Sequence, residues 1–296
     1  MNPLRAITVS APNFDFALAV WREHLDYELR ERAPVPAALA RAWGAPACAG
    51  RNSALLAPQS GAAVFVRLIE APETPGYQPL RSFGWAALEL CVANVDALHA
   101  RLCDSPLEVI GAPADPAFSR EIRPMQALGP CREPLFLTET HGDAADYDLP
   151  RAACQVDRAF IAVLGSADLP RALRFYRDVL GFRSTAPQPI VYSSLNKSFA
   201  LATGTQHLIC TLCNGRDVFL ELDQYPPAAT QRPRTAGELP PGAAVVSIAV
   251  PSLAIPGLRP IAEPAAHAGA LYGGRRSLCC PGPDGELLEL IETGAG

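Results

Sequence analysis

The segment Gly282-Pro-Asp-Gly-Glu-Leu-Leu-Glu-Leu-Ile-Glu-Thr293 repeats an earlier one, Gly129-Pro-Cys-Arg-Glu-Pro-Leu-Phe-Leu-Thr-Glu-Thr140. Each combines a tight turn with an alternating apolar segment, which is typical of a β-turn that leads into a half-buried strand. A strand is therefore expected to close each of two structural units. The copies differ at one position of that strand, where Phe136 stands in the first and Glu289 in the second. Because equivalent strands point these side chains to the same side, the two units are expected to have different roles.

The composition is that of a globular protein with two domains. The chain has 296 residues, of which 49% are hydrophobic and 19% charged, and its 30 Pro and 22 Gly predict many turns. The 25 Lys and Arg are scattered and the net charge is -5, which argues against nucleic acid and anionic membranes as partners. The amino terminus lacks the pattern of a signal peptide and no apolar run approaches about 18 residues, so we expect a soluble, cytoplasmic protein.

The repeat extends over both halves of the chain. A strand and an amphipathic helix are predicted at residues 4–9 and 11–25, and again at 160–164 and 166–182. The helices align residue for residue, Trp21-Arg-Glu-His-Leu-Asp-Tyr27 with Tyr176-Arg-Asp-Val-Leu-Gly-Phe182, and a later strand aligns Val64-Phe-Val-Arg67 with Val218-Phe-Leu-Glu221. Further strands begin near residues 84 and 242. Each half therefore reads as two βαβββ modules, and the whole chain as four.

Two of these segments resemble the vicinal oxygen chelate superfamily, which contains glyoxalase I, extradiol dioxygenases and bleomycin-resistance proteins. They are Ala172-Leu-Arg-Phe-Tyr-Arg-Asp-Val-Leu-Gly-Phe182 and Pro283-Asp-Gly-Glu-Leu-Leu-Glu-Leu290. The resemblance covers nearly the whole chain and specifies the fold better than the reaction. It implies an α+β fold in which four βαβββ modules form two cup-shaped mixed sheets with helices on the outside. We expect a glyoxalase-like domain at residues 1–141, a linker at 142–152 and a second such domain at 153–296.

Metal-dependent members of that superfamily hold a divalent ion at four related strand positions, usually through His and Glu. The corresponding residues are Leu4, Arg67, Ala87 and Phe136 in the first half, and Ala159 (or Arg158), Glu221, Val245 and Glu289 in the second. The first half is therefore expected to lack a metal site. The second keeps both carboxylates without the imidazoles, so we predict no cofactor and leave open only a weakly held divalent metal.

The two carboxylates of the second half are the predicted catalytic residues. If Glu221 and Glu289 line one cup, burial and mutual repulsion raise the pKa of at least one, so that one accepts a proton while the other donates one. Strand alternation predicts that four further residues line the same cup, and these are the predicted substrate-binding residues: Phe219, Asp223, Val245 and Ser247. Two alternatives remain, namely pairing of a Glu with an unidentified Arg and a register shift that turns both outward.

The cup of the first half is predicted to contain Arg67 and Glu89 beside Trp85 and Phe136. One interpretation is an internal ion pair between Arg67 and Glu89 in a cup without a ligand. The other is that Arg67 binds a carboxylate or phosphate of a ligand stacked on the aromatic rings.

The sequence thus predicts an enzyme of the lyase, isomerase or epimerase type that acts on a small oxygenated or aromatic metabolite. The first alternative is a non-catalytic binding or resistance protein, motivated by the missing His ligands. The second is an extradiol-type ring-cleaving dioxygenase. The expected partner is a small-molecule ligand, and both a monomer with an internal pseudo-dimer and a homodimer stay open.

Overall fold

The computed structural model describes residues 2–294 and shows an α+β fold with two curled mixed sheets and few helices. Module 1 contains β1 (Leu4–Ala11), α1 (Phe14–Glu23), β2 (Tyr27–Pro34), α2 (Ala37–Ala42), a 3₁₀ turn (Pro46–Cys48), β3 (Asn52–Pro58) and β4 (Phe65–Glu70). Module 2 contains β5 (Gly84–Val92), α3 (Val95–Leu102), β6 (Glu108–Gly111), β7 (Ile122–Leu128) and β8 (Pro134–Thr140).

The second half follows a similar order, but module 3 has additional short elements and the described residues of module 4 contain no helix. Module 3 contains β9 (Val156–Ser166), α4 (Leu169–Leu173) with a π-helical extension (Arg174–Val179), β10 (Arg183–Ser184), β11 (Gln188–Val191), α5 (Ser193–Ser198), β12 (Gln206–Asn214) and β13 (Asp217–Gln224). Module 4 contains β14 (Gly242–Val250), β15 (Ala265–Ala266), β16 (Arg276–Pro281) and β17 (Leu287–Glu292). Among residues 2–294, no helix combines the length and apolar character that crossing a bilayer requires.

Each sheet combines one module from each half of the chain. Modules 1 and 4 form sheet 1 in the order β15-β16-β17-β14-β1-β4-β3-β2, and modules 2 and 3 form sheet 2 in the order β10-β12-β13-β9-β5-β8-β7-β6. The junctions are the antiparallel pairs β1 with β14 and β5 with β9. This differs from the expected arrangement, in which each half curls into a cup of its own. In an isolated module, one edge of the first strand would have no hydrogen-bond partner. In this structure the first strand of a module from the other half pairs with that edge.

Helices α1, α3 and α4 pack against the faces of the sheets that meet in the middle of the molecule, whereas α2 and α5 contribute to apolar clusters on the opposite faces. This central core takes side chains from both sheets and from α1, α3 and α4, including Leu4, Trp21, Leu98, Leu164 and Tyr176. Two further apolar clusters lie on the opposite, concave faces of sheet 1 and sheet 2. We call these concave surfaces the sheet-1 face and the sheet-2 face.

The repeated turn motif is held in each half by a buried glutamate that the sequence analysis did not single out. Glu133 accepts hydrogen bonds from the backbone N–H of Cys131 (2.7 Å) and from Trp21 Nε1 (3.1 Å). Glu286 accepts them from the N–H of Asp284 (2.8 Å) and from Tyr176 Oη (2.8 Å). The motif therefore ties the last strand of each half to the first helix of that half.

The signal for this contact was present in the sequence. Trp21 aligns with Tyr176, and Glu133 occupies the same place in its motif as Glu286. Burial raises the pKa of each glutamate to about 7, against the opposing effect of its hydrogen bonds. The same glutamate, with an equivalent aromatic donor in each half, thus indicates a structural role for the motif.

Candidate functional site

The sheet-1 face centres on Glu289, which β17 presents beside Ser247 of the adjacent strand β14. Glu289 is fully buried and accepts hydrogen bonds from Ser247 Oγ (2.5 Å), Tyr272 Oη (2.9 Å) and Trp43 Nε1 (3.0 Å). Its carboxylate therefore receives donors from three different parts of the chain.

Arg67 of β4 supplies the opposite charge. Its Nη2 lies 3.3 Å from Glu289 Oε2, while Nη1 donates to Tyr272 Oη (2.6 Å) and Nε to Thr8 Oγ1 (2.9 Å). The guanidinium stacks over the Trp43 ring at 4.4 Å. Burial lowers the pKa of Arg67, but Tyr272 and Glu289 outweigh that effect and the net shift is upward. An internal ion pair thus exists, but with Glu289 in place of Glu89, because module 4 completes the sheet of module 1.

A cavity of about 330 Å³ lies next to this ion pair, between β2, β3, α2 and the segment 266–272. Its walls are largely apolar, with Leu39, Leu55 and Leu271 among them. The polar groups that reach it include Arg67, Tyr272 and His267. The volume is in the range of small-molecule sites in proteins.

His267 is a polar residue of the cavity wall with an unpaired ring nitrogen. Its Nε2 is buried and has no hydrogen-bond partner, and its ring lies 5.1 Å from that of Tyr272. Burial lowers the pKa of His267, which outweighs the attraction of Glu289. The imidazole is therefore neutral near pH 7 and can accept or donate one hydrogen bond.

The sheet-2 face carries three carboxylates, Glu89 on β5 and Glu221 and Asp223 on β13. Glu89 accepts a hydrogen bond from Thr138 Oγ1 (2.6 Å). Asp223 is fully buried and neither carboxylate oxygen has a partner, whereas Glu221 is half-buried. In contrast to Glu289, these groups meet no guanidinium.

Burial and mutual repulsion shift all three acids in the same direction. Burial, then the charge of Glu221, raises the pKa of Glu89 to about 8. Burial, then the charge of Glu89, raises the pKa of Asp223 to about 8. Burial and the charge of Asp223 hold the pKa of Glu221 well above its usual range. The sheet-2 face therefore favours protonated carboxyls unless a cation joins them.

The predicted catalytic pair is not assembled. Glu221 lies on sheet 2 and Glu289 on sheet 1, because their strands β13 and β17 belong to modules that pair with different partners. The other predicted residues divide in the same way. Val245, Ser247 and Arg67 accompany Glu289, while Asp223, Glu89 and Phe136 accompany Glu221.

Two predicted substrate-binding residues, Phe219 and Trp85, lie in the central core. Phe219 packs against the Phe182 ring at 4.6 Å, and Trp85 donates to the Leu287 carbonyl at 2.8 Å. Irregularities in the strand pairing explain both errors, since the register shifts opposite residues 218–220 and again next to Trp85. Beyond each shift, strict alternation predicts the wrong face.

Four residues of the two faces are not predicted by sequence patterns: Trp43, Tyr272, His267 and Tyr192. All four lie in connecting segments between the strands, where no periodic pattern indicates the direction of a side chain. Comparison of the two halves does not identify these residues either, because the connecting segments that contain them differ between the halves.

The structure can now be compared with known proteins. No protein-family model matches the sequence, and a comparison with curated proteins found no match. The solved structure of glyoxalase I from Zea mays superimposes with a TM-score of 0.62 at 14% identity, over 98% of this chain and 92% of that one. The chain has the two-domain glyoxalase fold.

A putative dioxygenase from Bacillus subtilis subsp. subtilis str. 168 shares the same glyoxalase-like fold. It superimposes with a TM-score of 0.61 at 10% identity, over 100% of this chain and 86% of that one. The predicted resemblance to the vicinal oxygen chelate superfamily is thereby confirmed for the architecture. At such identities the likeness extends to the fold alone, and the reaction has to be argued from the residues.

The metal site implied by this glyoxalase-like fold does not fit the side chains present. At the sheet-1 face, the guanidinium of Arg67 already neutralises Glu289. Within residues 2–294, no group of three or more His, Cys, Asp or Glu side chains is placed to hold a metal ion. The donor set therefore gives a divalent ion no site of the usual kind.

Proposed function

We propose that the sheet-1 cavity binds a small oxygenated metabolite and moves a proton at a carbon next to its carbonyl or carboxyl group. The protein would then be an enzyme of the isomerase, epimerase or lyase type. The observation that carries this proposal is the buried, unpartnered Nε2 of His267, which lines the same cavity as Arg67.

Binding would combine one polar contact with an apolar enclosure. An anionic ligand oxygen beside Arg67 would share a guanidinium whose contact with Glu289 is long, at 3.3 Å. The body of the ligand would pack against Leu39, Leu55 and Leu271. The segment 266–272 closes over this space, and the backbone N–H of Ala270 donates to Glu31 on β2 (3.0 Å).

The proposed chemistry follows from a neutral imidazole and a guanidinium cation in the wall of one cavity, His267 and Arg67. A neutral His267 would accept the proton when the carbon–hydrogen bond breaks, and the electron pair would move to the ligand oxygen. Arg67 would stabilise the resulting oxyanion. Return of the proton by His267 to the neighbouring carbon would complete an isomerisation, and its return to the opposite face of the first carbon, after the ligand turns within the cavity, would complete an epimerisation. Glu289 would act as a positioning residue, because it holds Arg67 and Tyr272 in place.

Hydrogen–deuterium exchange tests this proposal. Phenylpyruvate, pyruvate and mandelate serve as probes in D₂O, with carbon-bound exchange followed by NMR and binding followed by thermal shift. The His267→Gln variant should still bind, but exchange should fall by about 10²-fold or more. His207→Gln is the matched control, since His207, on β12 of sheet 2, is also buried but bonds to Asn196 of α5 (2.7 Å). Equal exchange in His267→Gln and in the unaltered protein would refute the assignment.

A non-catalytic binding protein is the second candidate. It is favoured by the three hydrogen bonds that Arg67 already makes within the protein, which leave it a weaker electrophile. Thermal stabilisation by the probes without carbon-bound exchange would support this reading. The ring-cleaving alternative is not favoured, because the donor set does not fit its metal.

A further inference from the structure

The sheet-2 face combines three carboxyl groups with a lack of cationic partners among the described residues. Glu89, Glu221 and Asp223 form no ion pair with any cationic side chain of residues 2–294, and Thr138 supplies the one hydrogen bond to Glu89. Carboxylates are rarely buried without an opposite charge or several donors. Protons neutralise these groups in the unliganded protein, and a cation from outside the chain would take the place of those protons.

A second observation at this face points to a ligand with donor groups. Asp223 is 0% exposed, and both of its carboxylate oxygens lack partners. The hydroxyl of Tyr192 is likewise buried without a partner, and burial, followed by the charge of Asp223, raises the pKa of this tyrosine. Native proteins leave few buried polar atoms unpaired, so three at one location need an explanation.

Aromatic rings form the remaining surroundings. The Phe136 and Tyr192 rings meet edge to face at 6.0 Å, and those of Phe199 and Tyr225 at 6.3 Å. Both pairs belong to, or pack against, the apolar cluster of the sheet-2 face. Aromatic faces attract cations, and they also pack against apolar ligand groups. Glu221 and Tyr192 remain half-buried, so solvent-accessible surface reaches the acidic groups.

We propose that the sheet-2 face binds an organic ammonium ion that carries an aromatic or other apolar body. The ammonium group would donate to Asp223 and Glu221, and its body would pack against the rings around Tyr192. A divalent metal suits the site less well, because no three described acidic, His or Cys side chains are placed to ligate one ion. This site is separate from the sheet-1 cavity, so it does not depend on the reaction proposed there.

Phenethylammonium is a suitable probe, with 2-phenylethanol as its uncharged counterpart. Calorimetric titration of the whole chain, at a pH above the raised pKa values of about 8, should show binding of the ammonium ion and little binding of the alcohol. Asp223→Asn should weaken the ammonium complex by at least about tenfold. Asp104→Asn removes an exposed acid and controls for the change in net charge, so its affinity should match that of the unaltered protein.

A structural role alone would give a different pattern. If Asp223 is merely tolerated, Asp223→Asn will fold and bind the probe as the unaltered protein does, which overturns the proposal. Equal affinity for the alcohol, absence of binding at millimolar ammonium, or stabilisation by Mg²⁺, Ca²⁺ or Mn²⁺ in its place would overturn it as well. Should Asp223→Asn fail to fold, Glu221→Gln provides the same comparison at a half-buried position.

Discussion

Sheet 1 and sheet 2 each combine a module from the first half with one from the second, and each buries carboxylates on its concave face. On the sheet-1 face, Glu289 receives a guanidinium and three further donors. On the sheet-2 face, Asp223 receives none. The same architecture therefore holds one acid in a closed internal network and leaves another dependent on protons or on a ligand.

The difference traces to two pairs of equivalent positions. Arg67 on β4 aligns with Glu221 on β13, and Glu289 on β17 aligns with Phe136 on β8. The exchange of modules between halves brings Arg67 to Glu289, and Glu221 to Phe136. One face thus acquires a cation with an anion, whereas the other acquires an anion with an aromatic ring. Differences at two pairs of equivalent positions therefore account for this difference in charge between the faces.

The largest effect is expected from removal of the cation on the sheet-1 face. Arg67→Met leaves Glu289 buried without its counter-charge, so the free energy of unfolding should fall by about 3–5 kcal/mol. Urea unfolding followed by fluorescence measures this change. Arg67→Lys keeps the charge but loses the fork geometry that reaches Thr8, Tyr272 and Glu289 together, so its loss should be smaller.

The double variant Arg67→Met/Glu289→Gln shows whether the charge is the cause. The amide can still accept hydrogen bonds from Trp43 and Tyr272, and no unpaired charge remains, so much of the stability should return. If the double variant is as unstable as Arg67→Met, lost packing and not charge explains the effect.

The pH dependence of stability should come mainly from the sheet-2 face and from the two turn glutamates. Burial raises the pKa of Glu89 and Asp223 to about 8 and that of Glu133 and Glu286 to about 7. The folded state then binds more protons than the unfolded state above the ordinary carboxyl pKa values. Stability is therefore greatest at acidic pH and falls as the pH rises from about 5 to about 8. Urea midpoints across this range give the slope.

Asp223→Asn separates the contribution of the sheet-2 face. The amide cannot ionise, so the decline in stability toward pH 8 should become shallower, and at pH 8 the variant should be more stable than the unaltered protein. Asp104→Asn, at an exposed site, should leave the slope unchanged. If the stability of the unaltered protein rises between pH 5 and pH 8, the carboxyl groups are not buried in their protonated form.

The sequence was sufficient for the modules and insufficient for their assembly. Alternation and helical spacing identify βαβββ units because they are local, and the aligned helices containing Trp21 and Tyr176 do occur. Local sequence patterns do not indicate which module pairs with β1, and for this reason the sequence predicts Glu221 and Glu289 in one cup. Bulges turned Phe219 and Trp85 to the other face. His267 and Tyr272 lie in a connection whose path depends on the finished sheet.

The smallest effect is expected from a contact that both halves share. Tyr176→Phe removes the hydroxyl that donates to Glu286, while the N–H of Asp284 still bonds that carboxyl, so unfolding should become easier by about 0.5–1.5 kcal/mol. A double-mutant cycle with Glu286→Gln measures the coupling energy of the pair. Asp104→Asn combined with Tyr176→Phe is the control, and the two changes in unfolding free energy should be additive. A coupling near zero would mean that the repeated motif is held by its turn alone. A clear coupling would show that the second half has a stabilising contact of its own between its first helix and its closing strand, independent of any ligand on the sheet faces.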